Sequence, residues 1–432
     1  MARDITETKP KYQIDRPNNT EMTRIFSDKK FSDRLRSRLS FPNFALVFIS
    51  IGFLVQLNLV NGWKMQKTVS MDSAEVLKYY GYPAEKHQVQ TVDGYILTLH
   101  RIPRVSKKPP VLVLHGILDS SYTWLLTGPE TALGFQLFNQ GYDVWLGNFR
   151  GNIYSRKHKW LSSEQNEFWN FSWDEMGKRD LPAMIDYIMY RTKQPKIYHI
   201  GHSMGTTTFF VLMSSMPSYN QKIAAHFSLS PVGYWGNSNS FFWKILAPVE
   251  NALSDFMYKM NHGGFLTDED SESLREFCHL NSNTARLCKL FLHCSFGFSN
   301  NLKNQTIYES FTAHVPAGTS VKAFNHYSQL LKSGKFRQFD YYDHKKNFRK
   351  YNSTKPPSYN ISRITAPVSF HYAANDVVSV PMDVLRLYRQ LPNPIGLHLI
   401  QDRFFNHVDF TIDPNAYTLI YRKVLKMMNS LL

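Results

Sequence analysis

Between Val89 and Met428, short apolar runs alternate with segments of helical period, and this alternation restricts the possible folds more than any other feature of the chain. Val111-Leu-Val-Leu114 has no polar position, as expected of a strand buried on both faces. Residues 142–146, 196–200, 224–230, 368–372 and 396–400 read as further strands. Residues 133–139, 174–190, 206–213 and 417–428 read as helices. The stretch from Val89 to Ile102 reads as a hairpin turning at Asp93-Gly94. Strands separated by helices predict an α/β fold with a mostly parallel sheet covered on both faces. The rhythm breaks over about 232–364, which is rich in aromatics and short amphipathic pieces such as Phe241-Phe-Trp-Lys-Ile-Leu246. That interval is too long for a plain loop and is expected to be an inserted cap.

The candidate chemistry falls at the ends of three strands. Gly201-His-Ser-Met-Gly205 lies between a predicted strand and a predicted helix, where a sharp turn would hold the Ser203 hydroxyl above the sheet and require small flanking residues. A serine hydroxyl needs a base to take its proton, and the base needs a carboxylate to orient it. His407, in the loop after the last predicted strand, is the candidate base. Asp376, just past residues 368–372, is the candidate acid, with Asp383 as the alternative. Hydrogen-bond donors for an oxyanion are expected from the backbone amides of Ile117 (or Leu118) and Met204, with Gly116 allowing close approach.

Composition excludes several other classes. The 432 residues include 31 Phe, 24 Tyr and 8 Trp, too many for a disordered chain, and three cysteines cannot build a disulfide scaffold. The net charge of +16 raises the question of nucleic acid, but no zinc-finger spacing or RNA-binding motif accompanies it, so no nucleic-acid partner is expected. No Cys/His ligand spacing suggests a metal, and no cofactor is expected.

Residues 1–40 form an arm with ten basic and six acidic residues, and residues 41–60 carry no charge. The uncharged length is close to the roughly 20 residues that span a bilayer as a helix. Two readings compete over 41–62: a single-pass membrane anchor, or a signal peptide cleaved near Gly62. Both put the body, residues 71–432, in the secretory pathway as a luminal, extracellular, secreted or lysosomal domain. Sequons at Asn170, Asn304, Asn352 and Asn360 agree with glycosylation there. Cys278, Cys288 and Cys294 cluster, so two could pair, or all three could stay reduced.

Seven segments together resemble the acid lipase family, the gastric and lysosomal acid lipases of the α/β-hydrolase fold. They are Leu114-His-Gly-Ile-Leu, Gly141-Tyr-Asp-Val-Trp-Leu-Gly-Asn-Phe-Arg-Gly-Asn152, Phe168-Trp-Asn-Phe-Ser-Trp-Asp-Glu-Met176, Asp180-Leu-Pro-Ala183, Gly201-His-Ser-Met-Gly-Thr-Thr207, Pro316-Ala-Gly-Thr-Ser320 and Asn406-His-Val-Asp409. The resemblance covers roughly 71–432. It implies a serine hydrolase that cleaves neutral lipid esters, triacylglycerols or steryl esters, at a lipid–water interface, beneath a cap with a movable lid. It also implies a Cys278–Cys288 disulfide. The sequence departs from the family at Met204, where Gln is common, and in its long basic arm. The alternative from another class is a catalytically silent hydrolase fold that binds lipid or mediates adhesion, which a broken triad would signal.

Overall fold

The structure is a computed structural model and describes residues 71–432. Helix α1 (Ser73–Tyr79) starts at a capping box, in which the Asp72 carboxylate accepts two backbone amides and Glu75 reaches back to the Asp72 amide. Strands β1 (Glu85–Gln90) and β2 (Tyr95–Ile102) form the expected hairpin, with Gly94 at φ 98° in its turn. Next come β3 (Val111–Leu114), α2 (Leu133–Asn139), β4 (Val144–Gly147) and the short edge strand β5 (Lys157–His158). The chain continues through α3 (Leu181–Thr192), β6 (Ile197–His202), α4 (Met204–Ser215) and β7 (Ile223–Leu229). It leaves the sheet for α5 (Phe241–Leu246), α6 (Glu250–Asn261), β8 (Gly264–Phe265), α7 (Asp268–Cys278), α8 (Ala285–Phe296), α9 (Gln305–His314), β9 (Thr319–Ser320), α10 (Val321–Ser333) and α11 (His344–Tyr351). It returns for β10 (Val368–Ala373), α12 (Pro381–Tyr388), β11 (Pro394–Ile400) and α13 (Arg422–Ser430).

The main sheet has the order β1-β2-β4-β3-β6-β7-β10-β11, with β5 paired to β2. From β4 to β11 the neighbours are parallel, while β1 and β2 are antiparallel. The alternation of side chains along each strand explains the unbroken apolar runs. Leu112 and Leu114 pack on one face with Trp145, Met184 and Phe209, and Val111 and Val113 pack on the other with Val144, Leu146 and Phe135. Each such side chain contributes about 1.5–3 kcal/mol by leaving water. This is the α/β-hydrolase architecture expected from the sequence.

The helix expected over 174–190 differs in detail. A short turn at Trp173–Glu175 leads into a wide π turn at Met176–Asp180 before α3 begins. Gly177 lies so close to α4 that a Cβ there would stand 2.7 Å from the side chain of Val211. Cys278 and Cys288 form a disulfide between the end of α7 and α8, and Cys294 is a half-buried free thiol.

The single-pass membrane placement is corrected. Among the described residues no helix is long and apolar enough to cross a membrane. The longest, α10, has 13 residues, well short of the roughly 20 that a span requires. The arm, the apolar segment 41–62 and the cleavage site near Gly62 lie outside the described residues.

One buried ion network ties the hairpin to the π turn. The Arg150 guanidinium donates to Asp180 through Nε at 2.7 Å and to both oxygens of Asp93 at 2.7 and 3.0 Å, and it lies 3.9 Å from the centre of the Tyr95 ring. Arg150 and Asp180 are almost entirely removed from solvent. Removing one partner of such a pair strands the other charge without water. Arg150→Met is therefore expected to cost about 3–5 kcal/mol in denaturant unfolding. A loss below about 1 kcal/mol, the range of an exposed ion pair, would show that the network does not hold the hairpin.

Candidate active site

β6 ends at His202 and α4 begins at Met204, so Ser203 stands alone in the turn at φ 50° and ψ −114°. A non-glycine residue in such a region costs about 1–3 kcal/mol and persists only where its surroundings enforce it. Here the enforcement is steric. A Cβ on Gly201 would lie 2.7 Å from the Gly205 backbone, and one on Gly205 would lie 2.6 Å from the Leu114 carbonyl oxygen. The two glycines let the turn close on itself and let α4 start directly over the end of β3. The Ser203 amide donates to the Leu229 carbonyl at 3.1 Å, which fixes the turn to β7.

Three strand ends bring their polar side chains together. Ser203 Oγ lies 2.8 Å from His407 Nε2. His407 Nδ1 lies 2.9 Å from Asp376 Oδ2 and 3.1 Å from Oδ1. With Nε2 accepting from the serine hydroxyl, Nδ1 carries the proton and donates it to the carboxylate. Asp376 Oδ1 also accepts the amides of Val378 and Ser379 at 2.9 and 2.8 Å. Burial alone would raise the Asp376 carboxyl, but His407, Ser230 and the Ser379 amide outweigh it and hold the group below the ordinary carboxylate value. All three side chains are buried.

The loop after β3 faces the same turn. A Cβ on Gly116 would stand 3.3 Å from the Ser203 Cβ, so the Gly116–Ile117 peptide passes directly beside the serine. His115 orients that peptide. Its Nε2 accepts the Phe149 amide at 3.2 Å, so Nδ1 holds the ring proton and donates it to the Gly116 carbonyl at 2.7 Å. In a trans peptide the Ile117 N–H points opposite to that carbonyl, away from His115. The amides of Ile117 and Met204 have no protein hydrogen-bond partner among the described residues.

The structure thus joins Ser203, His407 and Asp376 and sets the Gly116–Ile117 peptide and Met204 beside them. It places Asp383 elsewhere, where its carboxylate accepts the Asn237 amide and side chain. Two features were not expected from the sequence. Ser230, at the end of β7, has its hydroxyl 2.6 Å from Asp376 Oδ2 and 2.7 Å from His407 Nδ1. Its position at the carboxyl end of a predicted strand was the available signal. His202 Nε2 donates to the His407 carbonyl at 2.8 Å, and burial lowers its pKa to about 3, so it stays neutral. Among the described residues no group of His, Cys, Asp or Glu is arranged to hold a metal ion.

The α/β hydrolase fold model matches residues 109–417, and the model of a partial α/β-hydrolase lipase region matches residues 73–128. Lipase 1 of Drosophila melanogaster is 37% identical over 365 residues, covering 84% of this chain and 81% of that protein. Gastric triacylglycerol lipase of Rattus norvegicus is 37% identical over 379 residues, covering 83% of this chain and 92% of that protein. Among solved structures, an acetylester hydrolase from Corynebacterium glutamicum matches with a TM-score of 0.52 at 14% identity, covering 85% of this chain and all of the other, a likeness of fold.

The loop after β3 leads to a buried carboxyl. Asp119 follows this loop, is buried, and accepts the Ser120 amide at 2.7 Å. Burial pushes its carboxyl up to about 7 against the pull of that amide. Between about pH 4 and 7 the folded chain therefore keeps a proton that the unfolded chain has released, and this group's contribution to stability is lost as pH rises. Asp119→Asn keeps the acceptor oxygen and removes the titration. The variant should match wild type in unfolding free energy at pH 4 and exceed it by a few kcal/mol at pH 8. Equal differences at both pH values would show that Asp119 is ionised in the fold.

Proposed function

The chain belongs to the acid lipase family of the α/β-hydrolase fold, and from that premise we propose that Ser203, His407 and Asp376 are the residues through which it hydrolyses neutral lipid carboxylic esters. The observation that carries this assignment is the unbroken hydrogen-bonded line from Ser203 Oγ through His407 to Asp376. A silent hydrolase fold would need that line broken, and nothing in the geometry favours it.

The reaction follows from the placement. His407 Nε2 takes the Ser203 proton as Oγ attacks the ester carbonyl. The resulting oxyanion is met by the amides of Ile117 and Met204, which are already oriented. The imidazolium is stabilised by Asp376 and gives its proton to the leaving alcohol. Water then enters, loses its proton to His407, and releases the acid from the acyl enzyme by the same steps. The relatives named for triacylglycerol hydrolysis support triacylglycerol as a substrate, and steryl esters share the bond that is cleaved.

The interval 232–364 acts as the cap. On α8, Leu287 and Leu290 are 56% and 59% exposed, while Cys288 and Leu292 face inward. Phe256 on α6 is 55% exposed. These apolar groups support a face that meets lipid. Glycosylation at Asn170, Asn304, Asn352 and Asn360 is supported by the exposure of all four residues.

Two outcomes test this reading. Ser203→Ala should lower kcat on a soluble short-chain ester by about a million-fold with unfolding unchanged. A residual rate within about tenfold of wild type would remove Ser203 from the nucleophile role, since a nucleophile's loss costs orders of magnitude more. Leu287→Ser with Leu290→Ser should slow hydrolysis of emulsified triolein several-fold and leave the soluble ester rate unchanged. An equal loss on both substrates would show damage to the site and not to a lipid-facing surface.

A further inference from the structure

Ser230 follows β7 directly, in the same layer as the ends of β6 and β10. Its amide donates to the His371 carbonyl at 2.8 Å, and its side chain is fully buried. Its φ is 54°, a conformation that glycine adopts more readily, so the local backbone gives no reason for a side chain here. The hydroxyl has one proton and two polar neighbours. Asp376 Oδ2, 2.6 Å away, can only accept. His407 Nδ1, 2.7 Å away, carries the ring proton because Nε2 accepts from Ser203. One assignment satisfies both contacts: Ser230 donates to the carboxylate and accepts part of the Nδ1–H bond.

We propose that Ser230 is a positioning residue of this triad, its hydroxyl bridging Asp376 and His407 so that the imidazole is held to Ser203 through all stages of the reaction. The proposal rests on the triad assignment above. The bridge gives the Nδ1 proton a second acceptor, so the ring keeps its orientation as charge builds on it. It also gives the carboxylate one more donor, alongside the Val378 and Ser379 amides. The titratable groups facing Ser230 are Asp376 and His407, with His202 beyond, held neutral by burial. The full hydrogen bond to the carboxylate outweighs the shared one from Nδ1, so its removal makes the Asp376–His407 pair bind a proton more tightly and the acid limb of activity rises in pH.

The test compares Ser230→Ala, Ser230→Gly and Asp376→Asn, with rates on a soluble ester normalised to the fraction of Ser203 titrated by an activated phosphonate. Ser230→Gly suits the left-handed backbone and guards against loss of folding. Both Ser230 variants should lose about tenfold in kcat with KM unchanged, the effect of one hydrogen bond to a charged group. The acid limb of kcat/KM should move up by roughly 0.5 pH. Wild-type kcat and acid limb in both variants, with Asp376→Asn inactive, would overturn the role of Ser230 alone. Full activity in Asp376→Asn would overturn the triad assignment itself.

Discussion

The contact on which the site depends is the approach of Gly205 to the Leu114 carbonyl. A Cβ at Gly205 would stand 2.6 Å from that oxygen, so only glycine lets α4 begin this near to β3. The approach fixes two things together. It holds Ser203 in a backbone conformation that a free chain would avoid, and it sets the Met204 amide beside the loop that carries the Ile117 amide. Ser203, the nucleophile proposed above, and the two amides proposed for its oxyanion are thus positioned by one steric fit between adjacent parallel strands, β3 and β6.

Burial sets the electrostatics around Ser203. His115, lowered to about 4, and His202, lowered to about 3, are both kept neutral by burial and serve as oriented hydrogen-bond donors. His115 aims the Gly116–Ile117 peptide, and His202 holds the backbone of His407. His407 differs from both in having a carboxylate at its second nitrogen. Asp376 remains ionised despite complete burial because two amides and the Ser230 hydroxyl reach it as well. Burial with fewer donors and no imidazole beside it gives the opposite result at Asp119, whose carboxyl rises to about 7. Burial therefore leaves one carboxyl charged and another protonated, according to whether an imidazole and enough donors offset it.

Much of this was legible in the sequence. The strand at 111–114 could be placed because a parallel strand buried on both faces is short and apolar throughout, and the strand at 368–372 and the helix at 133–139 also fell within a residue or two. Ser203, Asp376 and His407, which the structure brings together, could be singled out from their places after strands, since an α/β sheet gathers its chemistry at the carboxyl ends. The π turn at Met176–Asp180 was not legible. Its apolar spacing is that of a helix, and the extra residue answers a tertiary demand, the close packing of Gly177 on Val211 and the reach of Asp180 to Arg150. Ser230 was missed for a different reason. A serine at the end of a strand has no pattern of its own, and it acquires meaning only when two loops far along the chain close over it.

The segment proposed as a cap is not independent of Ser203, His407 and Asp376. The segment just after α8 donates and accepts across the loops that carry the acid and the base. The Phe296 carbonyl accepts the His407 amide at 3.3 Å, and Asn406 donates to the Gly297 carbonyl at 2.7 Å. Asn375, next to the acid, donates to the Phe298 carbonyl, while Ser299 and Asn301 donate to Asp409 in the histidine loop. Gly297 fits so closely that a Cβ there would lie 2.4 Å from the Asn375 carbonyl oxygen. Residues 296–301 thus belong mechanically to the loops that carry Asp376 and His407, although the sequence places them in the insertion. A displacement of residues 296–301 would break hydrogen bonds to the loops of Asp376 and His407 together.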